Sequence, residues 1–338
     1  MKQIAVLTSG GDSPGMNACI RAVVRRGVDL GMLVWGVRRG YAGLLADEME
    51  VFTARDVSGI LHRGGTILGT ARCPEFTTTA GRQHAMSNCR RHGIEGLVVI
   101  GGDGSLAGAQ ALHQMEFPVV GVPGSIDNDL WGTDHAIGVD TALNVILATV
   151  DRVRDTADAM GRAVLVEVMG RHAGYLAALS GMTCGAEMVA IPREHSTHDG
   201  FIAAVRAQMR EARARGKSHF ILILAEGVVK DDLQTTTSAL EETLRAEYAR
   251  GRLPYEPRSL VVGYQQRGGV ATHCDRRLAT VLGAAAAERL RDGTSGVMVG
   301  QRGERVVDHP LHEVLEKSGR PLTNLDRRVL ELARILAS

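Results

Sequence analysis

Aromatic residues are scarce: Phe, Trp and Tyr together make up 4% of the 338 residues. That excludes a binding face that works by stacking rings on sugars or bases. Neither sign of charge is in excess, with 39 Lys plus Arg against 38 Asp plus Glu and a net charge of +1. A nucleic-acid or membrane-surface binder needs a basic surplus, so neither partner is expected. No apolar run approaches the roughly 18 residues that span a bilayer. The N-terminal MKQIAVLTSGGD lacks the apolar stretch of an export signal, so none is expected. Cysteine is sparse and odd in number: Cys19, Cys73, Cys89, Cys184 and Cys274, no two of them separated by two residues. That reads as the reduced thiols of a cytoplasmic protein and not as a disulfide frame or zinc site.

Glycine is what the chain has in surplus, 41 of 338 residues or about 12%, against about 7% on average. There is no collagen period, so the glycines act locally. The length predicts about two domains. Short apolar runs over 4–8, 34–37, 96–100, 119–122, 163–168, 220–225, 260–264 and 296–299 read as strands, several buried on both faces. Helical periodicity follows Pro14, behind Ser13 as candidate N-cap, and recurs near 105–114, 141–155, 200–213 and 236–250. This alternation predicts an α/β fold with doubly wound, mostly parallel sheets. Ligands of such folds sit at the carboxyl ends of the strands, where these glycines concentrate.

The first strand runs into Thr8-Ser9-Gly10-Gly11-Asp12-Ser13-Pro14-Gly15. Such a loop suits an anion held by helix N–H groups, and equally a tight strand-to-helix turn. The strand at 96–100 runs into Gly101-Gly102-Asp103-Gly104-Ser105, where Asp103 would suit a Mg²⁺ bridging phosphate oxygens, or is a common turn aspartate. After 119–122 come Pro123-Gly124-Ser125-Ile126-Asp127-Asn128-Asp129. Asp127 and Asp129 fit the carboxylates that phosphoryl transfer to an alcohol requires; solvated loop acids are the plainer reading. Arg171, following 163–168, could neutralise a transferring phosphoryl group, whereas His172 is given no catalytic role. A dinucleotide fingerprint fails, because the second strand runs into Arg38-Arg39 instead of an acid. A Walker A loop fails too: Gly216-Lys217-Ser218 has Glu211 where glycine is needed.

Taken together, LTSGGDSPGMNA, RGGTILGTAR, VVIGGDGS, GVPGSIDND, VEVMGRHAG and GYQQRGG resemble, in order, motifs of the ATP-dependent 6-phosphofructokinase family over residues 4 to about 300. The resemblance implies two Rossmann-like domains. One, 1–139 plus about 270–308, would bind nucleotide; the other, 140–269 plus about 309–338, would bind sugar phosphate. It implies a cytoplasmic glycolytic kinase that moves the γ-phosphoryl group of ATP to the 1-hydroxyl of fructose 6-phosphate, with Mg²⁺ as cofactor. ATP would lie against Gly11, Tyr41, Arg72, Cys73, Gly102, Asp103, Gly104, Ser105 and Gly108, with Asp103 toward the metal. Asp127 would be the base, supported by Asp129, Ser125 and the cation Arg171. The sugar phosphate would meet Ser125, Asp127, Met169, Gly170, Arg171, Glu226, Arg258, Tyr264 and Arg267. Arg162 would reach a neighbouring subunit's site in a homotetramer. Arg21, Arg25, Arg154, Glu187, Arg215, Lys217 and His219 match an allosteric effector site.

The chain departs from the pattern at Tyr264, Cys73, Thr77 and Ala54 and keeps to its ATP-using form at Gly104 and Gly124. Pyrophosphate-using relatives carry Asp and Lys where this chain has Gly104 and Gly124, and the two glycines leave room for a nucleotide's α-phosphate. Tyr264 replaces a histidine beside the sugar's 6-phosphate, which opens a second reading as a kinase of another ketose phosphate such as sedoheptulose 7-phosphate. Cys73 and Thr77 replace Phe and Arg near the nucleotide, and Ala54 replaces an effector-site arginine. A catalytically silent regulatory subunit is the rival of another class, and the joint presence of Asp103, Asp127, Asp129 and Arg171 argues against it. The longer stretch that includes 231–237 is expected to form a surface helix and loop.

Overall fold

A computed structural model of the chain describes residues 1–170, 172–194, 197–319, 329, 331, 332 and 335. Arg171, assigned above as the phosphoryl-facing cation, lies outside the described residues. The strands are β1 (Gln3–Thr8), β2 (Leu33–Val37), β3 (Met49–Phe52), β4 (Gly96–Gly101), β5 (Val119–Pro123), β6 (Arg162–Val168), β7 (Met188–Ala190), β8 (Phe220–Ala225), β9 (Glu256–Val261), β10 (Val297–Arg302) and β11 (Arg305–Pro310). The helices are α1 (Met16–Asp29), α2 (Tyr41–Ala46), α3 (Thr79–Arg91), α4 (Asp103–His113), α5 (Val139–Met160), α6 (Tyr175–Cys184), α7 (His198–Ala214), α8 (Thr237–Ala249), α9 (His273–Arg291) and α10 (Leu311–Lys317).

The chain divides into two units, one built on Met1–Thr141 and Arg267–Gly319, the other on Ala142–Gln266. The first holds a seven-stranded sheet of order β11-β10-β5-β4-β1-β2-β3. Its central strands are parallel, while β3 and β11 run antiparallel at the two edges. Alternation along the strands sorts side chains between two apolar layers. Ile4, Val6, Val98 and Ile100 pack with α1 and α9, whereas Ala5, Leu7, Leu97 and Val99 pack with α3, α4 and α10. Strands buried on both faces need such continuous Val/Ile/Leu runs, and those are the ones legible in the sequence.

The second unit carries a four-stranded, all-parallel sheet of order β7-β8-β6-β9. Here β9 departs from the expected 260–264. It begins at Glu256, because Glu256 and Pro257 pair with Arg162 and Ala163 of β6, and 263–267 coil into a 3₁₀ turn. As an edge strand with half-exposed residues it lacks a continuous apolar run. The same weakness hid β3 and β11, while β7, apolar throughout, is only three residues long. Threonine caps open α3, α7, α8 and α9, the side chains of Thr78, Thr197, Thr236 and Thr272 each accepting an amide N–H. Ser13 does not cap α1. That helix starts behind Gly15 (φ 102°), where a Cβ would lie 2.8 Å from Ile137, and Ser13 contributes its carbonyl to the Met16 amide. Around 231–237 the expected helix and loop are present, with α8 starting at Thr237 behind exposed Gln234 and Thr236, and Leu233 and Thr237 turn inward to anchor the stretch.

Candidate active site

In the first sheet the chain moves outward from β1 to β2 on one side and returns to β4 on the other. The carboxyl ends of β1 and β4 therefore flank a topological switch point, the usual ligand crevice of such sheets. Three loops meet here. The Ser9 amide bonds to the Ile100 carbonyl at 3.0 Å, and the Gly124 amide to the Gly101 carbonyl at 3.0 Å. Close approach fixes glycine at 101: a Cβ there would lie 2.5 Å from Ser105 Oγ and 2.6 Å from the Ser9 carbonyl. At Gly104 the same construction meets nothing within 4 Å, so space is open over the first turn of α4.

Tyr41 supports this floor. Its hydroxyl donates to the Ser105 carbonyl at 2.6 Å, its ring lies against Gly108, and it stacks on Phe76 at 3.9 Å. Only 5% exposed, Tyr41 stands beneath the loop. Burial pushes its phenol well above the ordinary value. Gly102 lies near Ser125, with a Cβ at 102 falling 3.8 Å from the Ser125 side chain. Arg72 is exposed and Cys73 half-buried, just ahead of the 3₁₀ turn Pro74–Thr77. Arg267 lies over the first loop. Its Nη1 donates to the Asp12 carbonyl at 3.1 Å and would stand 2.7 Å from a Cβ at Gly11.

The acids gather at the ends of β4 and β5. Asp103 opens α4, and its Oδ1 accepts the Gly104 amide at 2.7 Å. The Asp127 amide donates to Ser125 Oγ at 3.2 Å. Asp129 is half-buried, and its carboxyl is pushed up to about 7, first by burial, then by the charges of Asp127 and Asp103. Asp129 thus feels two neighbouring carboxylates in a partly dry crevice, an arrangement that favours a cation or a proton on Asp129. No three His, Cys, Asp or Glu side chains among the described residues form a metal cage. Mg²⁺ binds through one or two carboxylates together with substrate phosphates, and Asp103 is a carboxylate that could serve in that way.

Two residues of this site carried no role in the sequence. Asn128 (φ 50°) turns the acid loop, its amide bonding to the Asp134 carbonyl and the Ala136 amide. Asn17, buried on α1, holds the 63–67 loop through the Arg63 carbonyl and the Ile67 amide. An asparagine inside a glycine-rich motif was the available signal for Asn17; for Asn128 it was an asparagine between two loop acids, a residue type that accepts the left-handed region.

In the second unit, Met169, Gly170, Glu226 and Tyr264 follow the carboxyl ends of β6, β8 and β9. Gln266 ties these ends together, accepting the Met169 amide at 3.2 Å and donating to the Gly263 carbonyl at 2.9 Å. Tyr264 is 83% exposed. Arg162 and Arg258 lie elsewhere. Both approach Glu256, at 3.4 and 2.6 Å, near the start of β6. The strand's carboxyl end is about 20 Å from Arg162 at 3.3 Å per residue. Register therefore groups Arg258 with Arg162 and not with Met169 and Glu226. Of the effector candidates, Arg154 meets His219 at 3.2 Å and Lys217 meets buried Glu187 at 3.4 Å. Arg215 pairs with Glu211. Arg21 and Arg25 belong to the first unit, where partial burial and then Arg25 disfavour the charge on Arg21.

An α/β protein with a glycine-lined anion crevice and clustered carboxylates is of the phosphoryl-transfer kind. The phosphofructokinase family model matches residues 3–290, and the chain belongs to that family. It is 45% identical over its whole length to the whole ATP-dependent 6-phosphofructokinase of Thermotoga neapolitana. It is 47% identical, over 94% of both chains, to that of Bacillus subtilis. The solved phosphofructokinase of Saccharomyces cerevisiae superposes with a TM-score of 0.84 at 36% identity, covering 99% of this chain and 47% of that one. This chain thus spans about half the length of the yeast protein. No helix among the described residues is long and apolar enough to cross a membrane.

Proposed function

We propose that this protein transfers the γ-phosphoryl group of ATP to the 1-hydroxyl of fructose 6-phosphate, a step of glycolysis in the cytoplasm. The observation that carries the reading is the gathering of Asp103, Asp127 and Asp129 beside the glycine loops of β1 and β4. The first unit would bind the nucleotide and the second the sugar phosphate. Gly11, Gly102, Gly104 and Ser105 let phosphates approach the backbone, and the start of α4 turns N–H groups toward them. Asp127 accepts the proton of the attacking hydroxyl. Asp129 next to it raises the basicity of Asp127 by its charge when ionised. When bound, Mg²⁺ would neutralise phosphate charge, with Asp103 as its protein ligand. Arg267, lying over Gly11, supplies positive charge to the crevice.

Arg162 and Arg258, grouped at the far end of β6, would serve a neighbouring subunit's sugar phosphate in a homotetramer. Arg154, Glu187, Arg215, Lys217 and His219 would take an anionic effector at a boundary between subunits, with Arg21 and Arg25 supplied by the neighbouring subunit.

Asp127→Ser tests the reading. Proton removal by this group contributes roughly 10²–10⁴-fold, so kcat should fall by that factor with little change in sugar binding. Unchanged kcat refutes the assignment. Assays of ATP, GTP and pyrophosphate against fructose 6-phosphate and sedoheptulose 7-phosphate should show the highest kcat/KM for ATP with fructose 6-phosphate. Turnover with pyrophosphate alone would overturn the donor.

A further inference from the structure

The segment that follows β8 is not accounted for by the roles given so far. Residues Val228–Asp232 form a single π-helical turn, closed by the Leu233 amide on the Val228 carbonyl at 2.9 Å. Such turns are rare and recur at functional positions. This one is anchored from below, with Val228 0% and Val229 1% exposed. Its three charged residues reach three different strand ends of the second unit. Lys230 Nζ donates to Glu226 Oε2 at 2.6 Å and stands 3.9 Å from Glu167 Oε1 at the end of β6. Asp231 faces His172, just past β6, at 3.8 Å. Asp232 accepts the Arg193 amide, past β7, at 2.6 Å.

Glu167 is fixed on its own account. It is 7% exposed, Thr237 donates to its Oε2, and its carbonyl accepts the Val262 amide at 3.0 Å. Lys230 therefore links an immobile carboxylate to Glu226. Without it, two carboxylates would face each other at the edge of a buried layer, beside the place proposed for an anionic sugar. With it, the carboxylate of Glu226 is oriented and the local charge falls by one. The lysine head is half-exposed, so it can meet an incoming ligand.

Resting on the acceptor reading above, we propose that Lys230 is a positioning residue of the sugar-phosphate subsite. It aims Glu226 at a sugar hydroxyl and lowers the repulsion met by the sugar's phosphate. It thereby supplies positive charge in a site where Tyr264 brings none.

Steady-state kinetics of the full-length enzyme with ATP and fructose 6-phosphate, for wild type, Lys230→Met and Lys230→Arg, test this. Lys230→Met should raise KM for fructose 6-phosphate roughly tenfold while KM for ATP and kcat move less than about twofold. Lys230→Arg should recover most of the loss. A melting temperature within about 2 °C of wild type shows that the fold is intact. An active wild type whose sugar KM is unmoved by Lys230→Met overturns the role of Lys230 alone. Equal rises in the KM of both substrates, or no recovery with arginine, overturn it as well. A wild type that neither binds nor phosphorylates fructose 6-phosphate overturns the acceptor reading and this inference with it.

Discussion

Asp129 gives the sharpest physical test of the carboxylate cluster. Its carboxyl is held at about 7 against an ordinary 3.8. Between those values the folded protein keeps a proton that the unfolded chain releases. The folded state is therefore favoured by this group at low pH, and that contribution is lost as pH rises through about 7. Above that, ionising Asp129 beside Asp127 and Asp103 costs up to about 4 kcal/mol, taking about three pH units at 1.36 kcal/mol each. Residual solvent and local relaxation reduce this to about 1–3 kcal/mol. Asp129→Asn keeps the shape and removes the charge. At pH 8.5 it should raise the melting temperature by about 2–12 °C, given about 2–4 °C per kcal/mol for units of this size. At pH 5.5 the unfolded chain has already released this proton while the folded protein keeps it, so the shift should shrink to about half of its value at pH 8.5. Thermal melts followed by far-UV circular dichroism at both pH values suffice. An equal shift at both would show that Asp129 is not held protonated by its neighbours. The same variant should lose activity, since the destabilising charge is the functional one.

Other variants separate support from chemistry. Gly104→Asp meets open space at Cβ, so it should leave stability unchanged while cutting turnover with ATP roughly tenfold or more by repulsion; retained turnover would refute the donor argument. Gly101→Ala drives a methyl against Ser105 and the Ser9 carbonyl and should destabilise by about 1–3 kcal/mol in denaturant titrations. Tyr41→Phe keeps the stack on Phe76 but removes the hydroxyl's bond to the Ser105 carbonyl, for a loss of about 0.5–1.5 kcal/mol by the same measurement.

The residues of the chain by themselves determined the parallel cores. Runs such as 96–100 and 220–225 are apolar at every position, and only a strand covered on both faces tolerates that. They also determined the glycine loops and the acids at strand ends, because backbone approach and proton transfer restrict residue type at fixed spacing. The edge strands β3, β9 and β11 carry no such constraint, since half their surface meets solvent, and their limits came from pairing.

What the tertiary structure alone decided concerns neighbours distant in sequence. Strand order brought Asp103 to Asp127 and Asp129, and that proximity, with burial, lifts the carboxyl of Asp129 to about 7. The β6–β9 register moved Arg258 to the side of Arg162. A π-helical turn, which no periodicity announces, brought Lys230 to within 3.9 Å of Glu167 at the end of β6. Electrostatic interaction falls with distance through space, and separation along the chain does not set that distance.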